Sequence, residues 1–301
     1  MSTIERICIE EKISESGDAC SLLAARTGLP KGRIKDAMNK GALRWRKGGR
    51  GAFKRQRRAT AILAKGDEIA FFYDETLLTL KPPLPICISD EGQYSVWYKP
   101  AGLLSQGSEY GDHYSLLRQV ELHSNPRREA FLVHRIDRET TGLILVAHNE
   151  RAAAKLSQLF SGRDVEKHYL ACVSGEIAEV GAKFTIDQAI DGKNAVSHIT
   201  VLDSRAPASV QSEPSDRAQD LRKIDHGCLL DVRIETGRKH QIRKHLQGAG
   251  FPVIGDHRFG GPQHPMLCLT SSMIAFRCPL SHKMRRYTLE RAAVEWLGGG
   301  D

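Results

Sequence analysis

Two charged runs of this chain carry side chains whose types and spacing could do acid–base or nucleophilic chemistry. The first is His134-Arg135-Ile136-Asp137-Arg138-Glu139-Thr140-Thr141-Gly142. Asp137 stands between Arg135 and Arg138, so its carboxylate is expected to stay ionised and poised rather than buried and neutral. The same pattern also describes a solvated salt-bridge cluster of little energetic worth, and the run alone does not decide between the two. The second is Gly237-Arg238-Lys239-His240-Gln241-Ile242-Arg243-Lys244-His245-Leu246. On a helix, Gln241 with His245 and Lys239 with Arg243 are four apart, and Ile242 and Leu246 face inward. His240 and His245 are five apart and lack the His-Glu-x-x-His pattern, which argues against a metal pair. The chain has no phosphate-cradling Gly loop, no nucleophilic Ser or Cys motif and no internal repeat.

These residues need a frame. Phe131-Leu132-Val133 precedes the first run and Leu143-Ile144-Leu145-Val146-Ala147 follows it; both are apolar and rich in β-branched types, and read as buried strands. The charged segment is then a loop at the edge of a core, with Gly142 permitting a tight turn. Tyr94 to Tyr98 reads as a strand entering Lys99-Pro100-Ala101-Gly102-Leu103, where Lys99 is taken as structural. Glu150 to Phe160 predicts a helix with Ala153, Leu156, Leu159 and Phe160 on one face. Lys167 to Gly175, Ser197 to Leu202 and Cys228 to Ile234 read as further strands. Thr236-Gly237 is expected to start the helix of the second run, and Phe251 to Asp256 a turn into a strand. Asp203 to Gly227 is polar, with two prolines and no aromatic, and is expected to form a flexible excursion.

Composition narrows the class. At 301 residues and 41% hydrophobic content, with no bilayer-length apolar run, a soluble protein of one large and one small domain is expected. Met1-Ser2-Thr3-Ile4-Glu5-Arg6 lacks a basic patch followed by an apolar core, so no signal peptide is expected. Seven scattered cysteines without a Cys-x-x-Cys pair fit a reducing cytoplasm and small core residues. The net charge of +8 is concentrated: Lys31 to Arg58 holds twelve Lys or Arg and one acid, Asp36, leaving 32 basic against 35 acidic residues elsewhere. Such a lopsided run reads as a nucleic-acid footprint. Its cations are Lys31, Arg33, Lys35, Arg44, Arg46, Lys47, Arg50, Lys54, Arg55, Arg57 and Arg58, together with Lys40.

Around that run, Ile4 to Ile13 alternates like a strand. Asp18 is placed to cap a helix that Gly28 ends, and Leu29-Pro30 opens a second helix with Ile34, Ala37 and Met38 inward and Gly41 closing it. Leu43 to Arg46, a glycine-rich turn, a basic strand from Phe53 to Arg58 and a strand from Ala70 to Tyr73 follow. This order resembles the small RNA-binding module first described in a small-subunit ribosomal protein (S-four-like), with a larger turn. Lys81-Pro82-Pro83-Leu84-Pro85 is a stiff linker, so residues 1–80 are expected to form that domain and 81–301 the second.

The run from His134 to Gly142, Lys167-x-Tyr169 with Gly175 behind it, and Gly237 to His245 followed by Gly255-Asp256 together resemble the signature of the RluA-type pseudouridine synthases. Lys99-Pro100-Ala101-Gly102 is similar to that family's opening strand and turn. Thr141 and Ile136 are conservative departures; the excursion and Gln263-His264-Pro265-Met266 match weakly. The resemblance implies an α+β fold with a mixed, largely antiparallel central sheet and flanking helices. It implies isomerisation of uridine in RNA, without metal or organic cofactor. Asp137 corresponds to the essential aspartate, which attacks ribose, attacks base or removes a ribose proton. Arg243 would pair with it, Tyr169 would stack on the base, and Arg135 would fill the gap left by the flipped nucleotide. The resemblance puts His134, Arg138, Thr141, Arg238, His240 and Gln241 beside the substrate. Large-subunit ribosomal RNA is the expected target and transfer RNA the alternative, for a cytoplasmic monomer needing no membrane or protein partner. Two rivals are an inactive RNA-binding protein of the same fold and a glycosidase using Asp137 and Glu139, whose carboxylates stand too close in sequence to oppose one another.

Overall fold

In the computed structural model, residues 6–175, 177, 179–206 and 227–297 are described. The chain divides into two compact units, one of residues 1–82 with 106–127, the other of 83–105 with 128–301. The boundary expected near residue 80 takes no account of Gln106–Arg127, which packs with the N-terminal unit rather than the second. Ion pairs explain that placement: within it Asp112 binds Arg55 and Arg57, and Glu109 lies 3.2 Å from Arg44. Neither acid is near those arginines in sequence.

The N-terminal unit carries a four-stranded antiparallel sheet in the order Arg6–Lys12, Glu68–Asp74, Leu43–Arg46, Lys54–Arg55. Asp18 caps the helix Ala19–Thr27 by accepting from the Ser21 amide, and Gly28 ends it in the left-handed region at φ 74°. The next helix, Lys31–Asn39, buries Ile34, Ala37 and Met38. These side chains meet Leu23, Leu43, Leu63 and Phe71 in one apolar cluster, and deleting a buried Leu or Met there would cost about 2–5 kcal/mol. The basic strand is shorter than expected: only Lys54–Arg55 pairs with its neighbour, because the turn through Gly48, Gly49 and Gly51 takes up chain and Arg55 is drawn to the carbonyls of Gly41 and Ser108.

The second unit is built on a mixed sheet in which nearly every neighbour is antiparallel. Its order runs Lys183–Asp187, Val196–Ala206, Gly227–Ile234, Val165–Val173, Leu269–Arg277, Thr141–Ala147, Tyr94–Lys99, Ile86–Asp90. The parallel exception joins Thr141 and Gly142 to Thr270 and Ser271. Gly142 has φ 104°, and any β-carbon there would run into the backbone of Ser271, so the close approach of these strands requires glycine. The helix Glu150–Gly162, capped by Asn149, packs Leu156 against this sheet, and the short strand Phe131–Leu132 pairs with the C-terminal end of Thr141–Ala147.

Three further expectations change. From Phe251 to Asp256 the chain forms a turn with a single β-bridge, Val253 to Val173, and no strand. Asp203 to Ala206 continue a strand, paired with Leu229 and Gly227, instead of starting the excursion; residues 207–226 lie outside the described residues. The helix of the second charged run starts at Gln241, not at Thr236-Gly237. The Gln241 amide oxygen accepts from the Thr236 hydroxyl and the Arg238 amide, folding the intervening residues into a turn that ends on His240 at φ 57°. Among the described residues, no helix is long and apolar enough to cross a membrane.

Candidate active site

The loop bearing Asp137 is fixed from below. Lys99, fully buried at the end of its strand, donates from Nζ to the carbonyls of Pro100, Leu103 and Arg138 at 2.8–2.9 Å. Ser105 donates to the Ile136 carbonyl at 2.7 Å. The carbonyls on either side of Asp137 are thus anchored to a buried ammonium and a buried hydroxyl, which leaves the carboxylate facing a pocket. Residues lining it include Arg135, Asp137, Thr140, Tyr169, His240 and Arg243. Its enclosed volume is small, about 80 Å³.

Tyr169 enters from the strand Val165–Val173 where the register with Leu269–Arg277 slips: His168 pairs with Met273 but Tyr169 with Ser271. Such an irregularity re-aims side chains beside active sites. Burial, then the negative charge of Asp137, drive the phenol's pKa far upward, against a hydrogen bond with Ser271. The group is held as a neutral donor at ordinary pH.

Arg243 rises from the first turn of Gln241–Gly248. Its Nε and Nη2 donate to the two oxygens of Asp256 at 2.6 and 2.7 Å, while Nη1 reaches Asp137 at 3.3 Å. Asp256 also accepts from the amides of Arg258 and Phe259. Burial opposes its charge, but the bonds from Arg243 and these amides win and hold its carboxyl below the usual range. The Arg243 guanidinium lies 4.9 Å from the centre of the Phe259 ring, which gives its other face a cation–π partner. His240 Nε2 stands 3.8 Å from the other Asp137 oxygen. Burial lowers its pKa; Asp137 pulls upward, but Arg243, Arg258 and Lys239 add to the lowering.

The structure thus brings Asp137, Tyr169 and Arg243 to one pocket, with Arg135, Arg238 and His240 on its wall. Arg135 is exposed and makes no hydrogen bond or ion pair to a described residue. Other expected substrate contacts are turned to different work. His134 accepts from the Leu145 amide, stacks on Phe160 at 4.1 Å and is pushed down to a pKa of about 3 by burial and then by Lys167. Thr141 is fully buried, its hydroxyl 2.6 Å from that of Thr270. Gln241 touches the pocket, yet its amide nitrogen donates to the Val196 carbonyl and Ser197 hydroxyl and its oxygen is occupied as above. Arg138 points outward and pairs with Glu139 at 2.6 Å. Asp256 and Phe259 lie outside the residues expected at the site; the signal for Asp256 is the Gly255-Asp256 pair that follows the Gly237 to His245 run.

In the N-terminal unit the basic run is partly neutralised. Arg55 and Arg57 bind Asp112, Arg46 binds Glu68, Arg44 pairs with Glu109, and Arg33 lies 3.1 Å from Glu75. Lys31, Lys35, Lys47, Arg50, Lys54 and Arg58 remain exposed. Among the described residues no group of three or more His, Cys, Asp or Glu could hold a metal ion.

Comparison with known proteins adds a family. The family described as RNA pseudouridylate synthase matches residues 93–248. The ribosomal large subunit pseudouridine synthase D of Nitrosomonas europaea is 34% identical over 185 residues, which are 59% of this chain and 50% of that protein. The dual-specificity RNA pseudouridine synthase RluA of Pasteurella multocida is 30% identical over 216 residues, covering 69% of this chain and 94% of that one. The chain therefore spans about half the length of the first and nearly all of the second. A solved structure, human RNA pseudouridylate synthase domain containing 1, shares the fold with a TM-score of 0.57 at 20% identity, covering 73% of this chain and 89% of that one.

Proposed function

The chain belongs to the RNA pseudouridylate synthase family, and from that premise we propose that it isomerises uridine to pseudouridine in structured RNA. The observation that carries this reading is the meeting of Asp137, Tyr169 and Arg243 at one pocket. The bond from ribose C1′ to N1 breaks, the uracil turns, C5 bonds to C1′ and gives up its proton, and N1 ends protonated, so substrate and product have the same composition. Asp137 is the reacting group, by attack on ribose or base or by removing a ribose proton. Arg243, already fixed by Asp256, offers Asp137 a cation that needs no reorganisation. Tyr169 supplies a ring beside the base and a protonated phenol. Arg135, exposed and without a hydrogen bond or ion pair to a described residue, is available to occupy the gap left when the nucleotide is extruded.

The S-four-like N-terminal unit delivers RNA through its exposed cations. Large-subunit ribosomal RNA is the favoured substrate, since one relative is named for that subunit. The enzyme acts as a cytoplasmic monomer. A glycosidase pair is disfavoured because Glu139 is bound to Arg138 and, among the described residues, Asp137 is the one carboxylate that lines the pocket. The test is release of tritium from C5-labelled uridine in transcribed ribosomal and transfer RNAs, with product mapping. Release from ribosomal RNA supports the reading; release from transfer RNA alone moves the substrate; no release from any cellular RNA favours an inactive RNA-binding protein.

A further inference from the structure

A lysine buried along most of its length usually has an acid beside it, unless its ammonium opens onto a cleft that can take an anion. Lys167 is 7% exposed and makes no hydrogen bond or ion pair to a described residue. It lines a cleft of about 520 Å³ beside the Asp137 pocket, with Arg135, Tyr169 and Arg238 among the residues common to its wall or the neighbouring one. Arg163 joins it at the rim, on the C-cap of Glu150–Gly162, where it takes a left-handed backbone at φ 65° in place of the usual glycine. Four cations therefore face the cleft: Arg135, Arg163, Lys167 and Arg238. Among the described residues of its lining the one acid, Glu235, is 2.7 Å from His198 Nε2. His134, also in the wall, is neutral and accepts from the backbone. Burial, then Arg163, lower the pKa of Lys167, as expected of a cation awaiting a counter-ion.

We infer that this cleft binds a phosphate of the RNA strand next to the target nucleotide, with Lys167 as the buried cation and Arg163 and Arg238 at its mouth. The inference rests on the reaction proposed above. Its logic is positional: a phosphate seated beside the Asp137 pocket fixes the extruded nucleotide by its backbone without reading any base. A lysine suits a phosphate as a compact point charge. Free inorganic phosphate presents the same chemistry, so the two sources must be separated.

The test uses the full chain and Lys167→Met, which keeps the stem but deletes the charge. The variant should fold with a melting temperature close to that of the unaltered protein, because Met keeps the buried apolar stem. Inorganic phosphate should raise the melting temperature of the unaltered protein and not of Lys167→Met. In tritium release, Lys167→Met should raise KM about tenfold with kcat retained. A single neutral methylphosphonate linkage stepped along the RNA near the target should raise KM similarly at one position, and should add nothing in Lys167→Met. Arg163→Gln, at an exposed side chain, should raise KM about threefold. A KM and phosphate response unchanged in Lys167→Met overturns the inference, as does a loss confined to kcat. Phosphate protection through Lys167 with no sensitive linkage overturns the RNA source. If the unaltered protein releases no tritium from any RNA, the reaction is wrong, and the phosphate arm still decides whether the cleft takes an anion.

Discussion

Arg243 gives its two shortest hydrogen bonds to Asp256, at 2.6 and 2.7 Å, and reaches Asp137 more loosely at 3.3 Å. The pairing expected from sequence, Arg243 with Asp137, is present but secondary. Asp256 is a fully buried counter-ion that sets the guanidinium plane, with Phe259 against its face. Asp137 is thereby free to change charge or bonding during a reaction without unmooring the arginine.

Asp137→Asn should therefore abolish tritium release while leaving the fold nearly intact. The bond at 3.3 Å from Arg243 to a part-exposed carboxylate becomes one to a neutral amide oxygen, a change of about 1 kcal/mol. RNA binding should persist or tighten as a negative charge leaves the pocket. Undiminished release by this variant would remove Asp137 from the chemistry.

Asp256→Asn should behave oppositely in stability. It leaves Arg243 buried beside a neutral amide, and breaking such a pair costs about 3–5 kcal/mol. Urea midpoints should fall accordingly, and turnover should drop because the guanidinium loses its fixed plane. An unchanged midpoint would show that Asp137 alone suffices to hold Arg243.

Tyr169→Phe separates ring from hydroxyl. Because the phenol is held protonated by burial and Asp137, its loss removes a donor and leaves the stacking surface. RNA affinity should hold within about twofold while kcat falls by about 10²-fold or more, within the range of positioned acid–base groups. Retained kcat would confine Tyr169 to stacking.

His168, next to Tyr169 at the register slip, carries a pH signal. Its Nδ1 is 2.8 Å from Asp231 and its Nε2 3.0 Å from Glu166. The bond to Asp231 chiefly raises its pKa above 6.5, with Glu166 adding and burial opposing. A raised folded value means the contribution is fully present below about 6.5 and fades as pH rises through that higher value. The melting-temperature gap between the unaltered protein and His168→Gln should be largest in mild acid and shrink in alkali. A gap independent of pH would assign His168 to packing alone.

Replacing Lys31, Lys35, Arg50 and Lys54 together by Gln should flatten the salt dependence of RNA binding, by up to about 0.9 in log–log slope for each phosphate no longer neutralised. Arg55→Gln should lower stability instead, since Arg55 binds Asp112 and the carbonyls of Gly41 and Ser108. An unchanged slope in the fourfold variant would reduce the exposed basic face to a solubilising surface.

Local signals in the sequence were dependable where one residue determined the outcome. Asp18 and Gly28 bound their helix, Ile34, Ala37 and Met38 point inward, and Gly142 sits where two strands approach too closely for any β-carbon. The central sheet and the residues around Asp137 were legible because three separated motifs agree with one family. What escaped was set by long-range partners. Thr141 and Gln241 have the chemistry of substrate-binding side chains, but Thr270 on one side and Val196 with Ser197 on the other claim their polar atoms. The charge of Lys31 to Arg58 is partly paired in the fold by Glu68, Glu109 and Asp112, which are distant in sequence.

That last separation orders events during synthesis. The apolar cluster of the N-terminal unit draws on Ile13 through Leu78, so it can close as soon as those residues have emerged. Glu109 and Asp112 arrive about thirty residues later, an interval of seconds at ordinary translation rates. In that interval Arg44, Arg55 and Arg57 face solvent without their acids, and the nascent unit is a stronger polycation than the finished one. An N-terminal fragment ending at the proline-rich linker would preserve this transient state, and its RNA affinity would overstate that of the whole chain.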